Sequence, residues 1–231
     1  MKKISLWIVP VVFLMLFVVG CSGKTSSLEG KVLDGKGQPL ANVKVVAKMS
    51  QPIKGYEQFE TTTGSDGAFA FKKLFPTSEY QLIFFSDQWT KEKNIKTTSG
   101  PEGQTKMLPE PVMIRFMDSR EGVIADTKTG LEWYLGSNRI SWYQAQSWMA
   151  GLKAAGVGWR MPTLQELKSL YIKDMGKNNI HPLFKVDEDE WIWTENKINS
   201  WNVVIFRFGD GNQTTGNPGN LKHALAVRSR K

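Results

Sequence analysis

The chain has 231 residues, of which 41% are hydrophobic and 11% aromatic, and this length accommodates two modest domains of about 100 residues each. Its formal net charge of +8 favours acidic partners, such as sulfated or phosphorylated glycans or an anionic envelope, without selecting one of them. With only one cysteine, the chain cannot form an internal disulfide or a cysteine-based metal site.

The N-terminal segment has the order of a secretory signal. Lys2 and Lys3 precede an apolar run over residues 4–19, which ends at Gly20 and Cys21. Residues 18–21 resemble the lipobox of bacterial lipoproteins, in which the cysteine receives a diacylglycerol and becomes the new N-terminus. The alternative is an uncleaved membrane helix, which needs only about 17 to 25 apolar residues.

A lipidated Cys21 would be the membrane anchor of the mature protein, and several acyl chains would hold it there almost irreversibly. We therefore expect a signal peptide over residues 1–20 and a lipidated cysteine with a short tether over residues 21–27. The expected location is the cell envelope, at the outer membrane if the cell has one, because Ser22 rather than Asp follows the cysteine. Loss of the signal lowers the formal charge to +6, and export argues against nucleic acid as a partner.

Residues 28–96 read as short β-strands separated by turns. Runs of β-prone residues lie at 43–47, 68–71 and 80–85, with turn sequences at 34–37, 65–67 and 75–76. This spacing, without a helical period, predicts a small all-β sandwich. Segments 30–34 (GKVLD), 37–43 (GQPLANV) and 65–69 (SDGAF), followed by Leu74 and Tyr80, resemble the carboxypeptidase-regulatory-like, or prealbumin-like, sandwich. Asp66 is interpreted as a turn residue rather than a calcium ligand.

Residues 97–111 contain several Gly and Pro residues and little apolar content, so they are interpreted as a linker. The second domain, residues 112–231, carries seven of the nine tryptophans. Its first strand is predicted at 112–117. Two amphipathic helices are predicted to begin after Ser141 and Thr163, each with a capping box, and Gly156 is expected to end the first.

The last part of the chain is predicted to form strands at 191–194, 201–208 and 221–229. A polar Gly/Asn segment, residues 209–220, is interpreted as a long loop between the last two strands. Long loops of this kind are often functional.

The second domain resembles a known family in several blocks. The segments 122–133 (GVIADTKTGLEW) and 159–163 (WRMPT), followed by 193–195 (WTE) and 227–228 (VR), resemble the Lcl-type C-terminal domain, named after a collagen-like bacterial adhesin. The resemblance implies an α+β fold of the C-type-lectin-like and formylglycine-generating-enzyme-like kind, and it suggests sulfated polysaccharides as ligands. Thr194-Glu195 stands where the family commonly has a serine pair, so the resemblance says less about the ligand of this chain than about its fold. The related enzymes use cysteines, and none remains here after lipidation.

The candidate ligand-binding residues combine one arginine of the WRMPT block with the late loop and its basic neighbours. Arg160 could bind an anion, but a structural role before the second helix is the favoured interpretation. Trp133, Trp142 and Trp159 are expected in the core rather than as sugar platforms. The remaining candidates are Arg207, Asp210, Asn212, Lys222 and Arg228.

The sequence predicts no catalytic residue, no metal site and no cofactor. Residues 187–190 (DEDE) could bind a cation, but a solvated loop before a buried strand is the favoured interpretation. His181 and His223 are the only histidines and form no recognisable metal or catalytic pattern.

The expected function is non-enzymatic. A lipid-anchored sandwich would present a lectin-like head that binds an acidic polysaccharide, a matrix polymer or a surface protein. The alternative is a periplasmic assembly lipoprotein that docks a protein partner. A hydrolase is the weakest hypothesis because its catalytic residues cannot be named.

Overall fold

The computed structural model describes residues 24–87, 89, 93–119 and 121–230. The signal peptide and Cys21 lie outside these residues, so both stay predictions. Within the described residues, no helix has the length and apolar character needed to cross a membrane.

The first domain is a sandwich of two β-sheets. One sheet has the order β4-β1-β7 with β8 also paired to β1, and the other has the order β3-β2-β5-β6. Leu28, Val32 and Phe84 are completely buried between the sheets because inward-facing apolar residues alternate along β1 and β5. The strands are β1 (Ser26–Asp34), β2 (Lys44–Met49), β3 (Gln58–Thr62), β4 (Ala68–Leu74), β5 (Glu79–Phe85), β6 (Lys93–Thr98), β7 (Thr105–Met107) and β8 (Val112–Ile114).

One turn of the sandwich has the predicted chemistry. The carboxylate of Asp66 accepts a hydrogen bond from the backbone N–H of Ala68 at 3.0 Å, and Gly67 has a φ of +73°. Asp66 is thus a turn residue, as the sequence predicts.

The segment predicted as a linker is part of the sandwich. It contains the end of β6, which pairs with β5, and all of β7, which pairs in parallel with β1. These strands are not recognisable in the sequence because both are polar and largely exposed, so they lack the apolar residues of an inner strand.

The two domains share hydrogen bonds and apolar packing. Strand β8, assigned to the second domain from the sequence, pairs in parallel with β1 of the sandwich. Val112, Ile114 and Met117 pack into the sandwich core. The Gly35 N–H also donates to Oγ1 of Thr127 across the boundary at 2.7 Å.

The second domain, which we call the head, contains two antiparallel sheets and two α-helices in its described part. The sheet orders are β15-β11-β10-β9 and β12-β13-β14. Its elements are β9 (Phe116–Asp118), β10 (Ile124–Asp126), β11 (Leu131–Leu135), α1 (Trp142–Gly151), α2 (Leu164–Leu170), a short 3-10 helix (Pro182–Phe184), β12 (Trp191–Lys197), β13 (Val203–Arg207), β14 (Gln213–Gly216) and β15 (Leu225–Ser229).

Both predicted helices are confirmed, together with their capping boxes. Ser141 caps α1 with Gln144, and Thr163 caps α2 with Glu166. The predicted stop at Gly156 is wrong, because α1 ends at Gly151 and Leu152 is its C-cap residue in an extended conformation.

The late polar segment is not a long loop. Residues 213–216 form β14, which pairs with β13 along four residues. The sequence signal is weak here because β14 is an exposed edge strand without apolar side chains on a buried face. The strand predicted at 201–208 begins only at Val203, which leaves Trp201 in the turn before it. The strand predicted at 221–229 begins only at Leu225.

Asp126 explains the 122–133 block in structural terms. Its fully buried carboxylate accepts hydrogen bonds from Nε and Nη2 of Arg115 at 2.9 and 2.7 Å and from the Lys128 N–H at 3.0 Å. Gly130, with a φ of +74°, closes the turn, and Trp133 then enters the core with no exposed surface. A buried charge in this position is stabilised by its paired charge and its hydrogen bonds.

Candidate functional site

Arg160 is held by α2. Its Nη1 and Nη2 atoms donate to the carboxylate of Glu166 at 2.8 and 2.6 Å, and Nη1 also donates to the Met161 carbonyl at 3.0 Å. Burial raises the pKa of Glu166, but hydrogen bonds from Arg160 and from the Thr163 backbone outweigh it, so the pKa lies below its usual value. The geometry agrees with a structural role, in which Arg160 fixes the loop before α2.

Arg228 is also engaged within the head. Its guanidinium lies 4.3 Å from the centroid of the Trp159 ring and donates from Nε to Glu132 at 2.7 Å. It also donates to the Ala155 carbonyl at 2.7 Å. Cation–π stacking and a part-buried ion pair therefore use most of the guanidinium.

Arg207, Asp210 and Asn212 come together at the turn between β13 and β14. The guanidinium of Arg207 pairs with the carboxylate of Asp210 and lies 4.7 Å from the centroid of the Trp191 ring. Asn212 donates its side-chain amide to Asp210 at 2.7 Å. The hydrogen bond from Arg207 holds the pKa of Asp210 well below its usual range. The guanidinium of Arg207 is therefore already paired within this network and is not an unpaired cation for a ligand.

Lys222 lies elsewhere, where its backbone forms a bridge with Ile140. The structure therefore groups only three of the predicted ligand-binding residues in one place. Arg160, Lys222 and Arg228 each have separate surroundings.

The acidic run 187–190 is only partly a solvated loop, because Glu190 is buried. Its carboxylate lies 2.5 Å from Nε2 of His223 and 3.7 Å from Nη2 of Arg139. Within the described ranges, no group of three or more His, Cys, Asp or Glu side chains is arranged to hold a metal ion.

Trp133, Trp142 and Trp159 are buried, as predicted. Trp142 also has a positioning role, because its indole N–H donates to the Thr194 carbonyl at 2.9 Å and its backbone N–H donates to Pro218. The first bond places the first turn of α1 against β12, and the second places it against the segment that follows β14.

A different group of side chains is exposed at this end of the head. We call it the aromatic surface, and it consists of Tyr143, Lys197, Ile198 and Trp201. Trp201 is 72% exposed, Ile198 61% and Tyr143 49%. The Lys197 ammonium lies 5.7 Å from the centroid of the Tyr143 ring.

The hairpin between β12 and β13 positions this surface. Lys197 pairs with Val203, and the Ile198 N–H donates to Asn202, so Trp201 lies at the tip. The Asn199 side chain accepts from the Trp201 N–H at 2.9 Å and stabilises the turn. Sequence reasoning missed the site by placing Trp201 in a strand. The signal was its position directly after the polar pair Asn199-Ser200.

The described residues define a mostly β protein with two domains, a β-sandwich and a head. The carboxypeptidase regulatory-like domain family matches residues 27–107, and the Lcl C-terminal domain family matches residues 122–228. Both family resemblances expected from the sequence are thus confirmed, and the first match extends through β7.

Solved structures show only distant similarity. A 3-chlorocatechol 1,2-dioxygenase from Rhodococcus opacus is 14% identical with a TM-score of 0.27, over 33% of this chain and 45% of its own. A DUF3823 family protein from Parabacteroides merdae is 15% identical with a TM-score of 0.31, over 51% and 63%. The Yersinia pseudotuberculosis adhesin InvE is 13% identical with a TM-score of 0.30, over 87% and 60%.

The chain thus spans less than half the length of the dioxygenase, and all three TM-scores are too low to support an inference. No curated protein matches the chain significantly.

Proposed function

We propose that this protein is a non-enzymatic, lipid-anchored component of the cell envelope whose head binds an acidic glycan or matrix polymer through the aromatic surface. The observation that carries the proposal is the 72% exposure of Trp201 at the tip of the hairpin that also carries Lys197, whose ammonium lies near the Tyr143 ring. The Lcl family match and the basic net charge support it. Cys21 is the proposed anchor, and a C-type-lectin-like fold is the proposed class of the head.

The chemistry of the aromatic surface suits a sugar ring. An exposed indole or phenol can cover the apolar face of a pyranose, while a nearby ammonium attracts its carboxylate or sulfate group. Tryptophan and tyrosine are enriched among the residues that contribute most of the binding energy at interfaces. The arginines predicted from the sequence are less suitable, because Glu166, Asp210 and Glu132 already neutralise Arg160, Arg207 and Arg228.

The test uses the chain from Ser22 onward, which keeps both domains and the strand pairing between them. We expect salt-sensitive retention on heparin and binding to acidic glycans on an array. Trp201→Ala should weaken glycan binding about tenfold, and Lys197→Ala should reduce it mainly for acidic glycans. The matched controls are Val157→Ala and Lys153→Ala, which change exposed head residues outside the aromatic surface. Absence of binding to heparin and to every glycan would refute the sugar-binding function.

Exposed Ile198 favours a second candidate function, docking of a protein partner, because an aliphatic side chain adds little to sugar recognition but suits a protein interface. The proposed locations separate the two functions. Protease treatment of intact cells should cleave the head only if it is displayed outside, whereas a periplasmic assembly protein would be protected until the outer membrane is opened.

A further inference from the structure

The cleft between the sandwich and the head contains a cavity of about 430 Å³. One wall comes from the sandwich, with Trp89 and Lys93, and the opposite wall comes from the head, with Met175 and Leu183. Phe116, on the segment that joins the domains, also lines it. The volume lies within the range of about 300 to 1,000 Å³ that is typical of small-molecule sites.

The lining of this cavity is mainly apolar, which favours a ligand with an apolar body. Trp89, Phe116, Met175 and Leu183 offer aromatic and aliphatic surface. Burial of such a ligand would remove apolar area from water on both sides of the contact. Methionine and leucine side chains also adapt to ligands of different shape.

The charged side chains that line the cavity differ in whether another group of the protein already pairs with them. Arg115 is balanced by the buried carboxylate of Asp126 and also donates to the Ser169 carbonyl. Asp118 and His181 already take part in other interactions. Lys93 is exposed at the edge and has no ion-pair partner among the described residues. Among the described lining residues, the charge available to a ligand is therefore the ammonium group of Lys93.

We propose that the interdomain cavity binds an amphipathic monocarboxylate, with its apolar body between the two domains and its carboxylate paired with Lys93. A neutral ligand of the same length would lose the ion pair, and a dicarboxylate would have to bury or expose a second charge without a partner. The site is separate from the aromatic surface, so it does not depend on the function proposed above.

The experiment titrates decanoate and decanol into the chain from Ser22 onward, labelled with ¹³C at the methionine methyl groups. We expect decanoate to shift the methyl signals of Met175 and Met113, which both line the cavity. Lys93→Gln should weaken decanoate binding about threefold to fivefold and leave decanol binding unchanged. Lys96→Gln is the matched control, because it removes another lysine of β6 that does not line the cavity.

Two larger substitutions test the location of the ligand. Met175→Trp and, independently, Met113→Trp should fill the cavity and weaken binding of both probes, and near-ultraviolet circular dichroism checks that each variant is folded. Absence of methyl shifts at the cavity would overturn the proposal. So would equal effects of Lys93→Gln and Lys96→Gln, or decanol binding as tight as decanoate binding.

Discussion

Several cationic side chains of the head lie against aromatic rings, and their partners decide what each can do. Arg207 and Arg228 lie over Trp191 and Trp159 and are each paired with a carboxylate. Lys197 lies near Tyr143, at the edge of an exposed aromatic group. The planar guanidinium can stack and donate at the same time, so it suits a structural link, whereas the exposed ammonium keeps its charge available to a ligand.

Loss of the Asp126 carboxylate should strongly destabilise the head. Asp126→Ala leaves the guanidinium of Arg115 without its buried partner, so the free energy of unfolding should fall by about 3 to 5 kcal/mol. Urea denaturation measures this change. Glu110→Ala, which removes an exposed carboxylate without an ion pair in the described structure, should change stability by less than about 0.5 kcal/mol. A similar loss in both variants would contradict the role assigned to Asp126.

At the scale of elements, the head depends on short strands and helices that are fixed at their ends. Capping boxes begin α1 and α2, and the Arg160 backbone forms a bridge with Val227 of β15. Helices of seven and ten residues are too short to be stable alone, so these end contacts and the apolar faces hold them in place.

The cap of α2 should make stability depend on pH. The folded pKa of Glu166 is lower than its usual value of 4.5, so its carboxylate stabilises the fold above that pH. This contribution is lost as pH falls through the folded pKa. Glu166→Gln should therefore differ most from the unmodified chain near pH 7, and the difference should shrink below pH 4.5.

Chemical denaturation at a series of pH values measures this difference. Gln165→Ala, on the same helix, changes an exposed side chain that does not titrate, and its effect should be the same at every pH. A gap between the Glu166→Gln chain and the unmodified chain that stays constant into acid would show that the ion pair contributes nothing through titration.

At the scale of the whole molecule, the two domains behave as one packed unit. Parallel pairing of β1 with β8 and the shared apolar core cross the boundary between them. We therefore expect a single cooperative transition in calorimetry, and a cut at residue 112 would expose Val112 and Ile114, which are buried in the complete chain.

The substitution Gly35→Ala tests whether the two domains unfold together. A Cβ atom at Gly35 would lie 2.6 Å from the Lys128 backbone nitrogen, so Gly35→Ala must push the domains apart locally. The midpoint of thermal unfolding should fall, or the transition should split into two. At Gly151, a Cβ atom would meet nothing within 4 Å, so Gly151→Ala should leave the transition single and near its original midpoint. Two transitions in the unmodified chain would contradict the coupling.

Features that depend on local chemistry could be predicted from the sequence. Residue type and spacing predicted the capping boxes at Ser141 and Thr163, the turn at Asp66 and the buried tryptophans. The two family resemblances were likewise visible in the sequence. Cys21 is likewise a sequence-level prediction, since it lies outside the described residues.

Packing in the folded chain, in contrast, determines which polar segments are strands and which charged side chains already have a partner. Strands β7 and β14 lack a buried apolar face, so backbone pairing defines them: β7 pairs with the distant strand β1, and β14 pairs with the neighbouring strand β13. Arg207 and Arg228 look available in the sequence, but their carboxylate partners occupy them, and Trp201 is exposed because a hairpin places it at a tip. Pairing between residues far apart in the chain is set by packing and topology, which local sequence patterns do not encode.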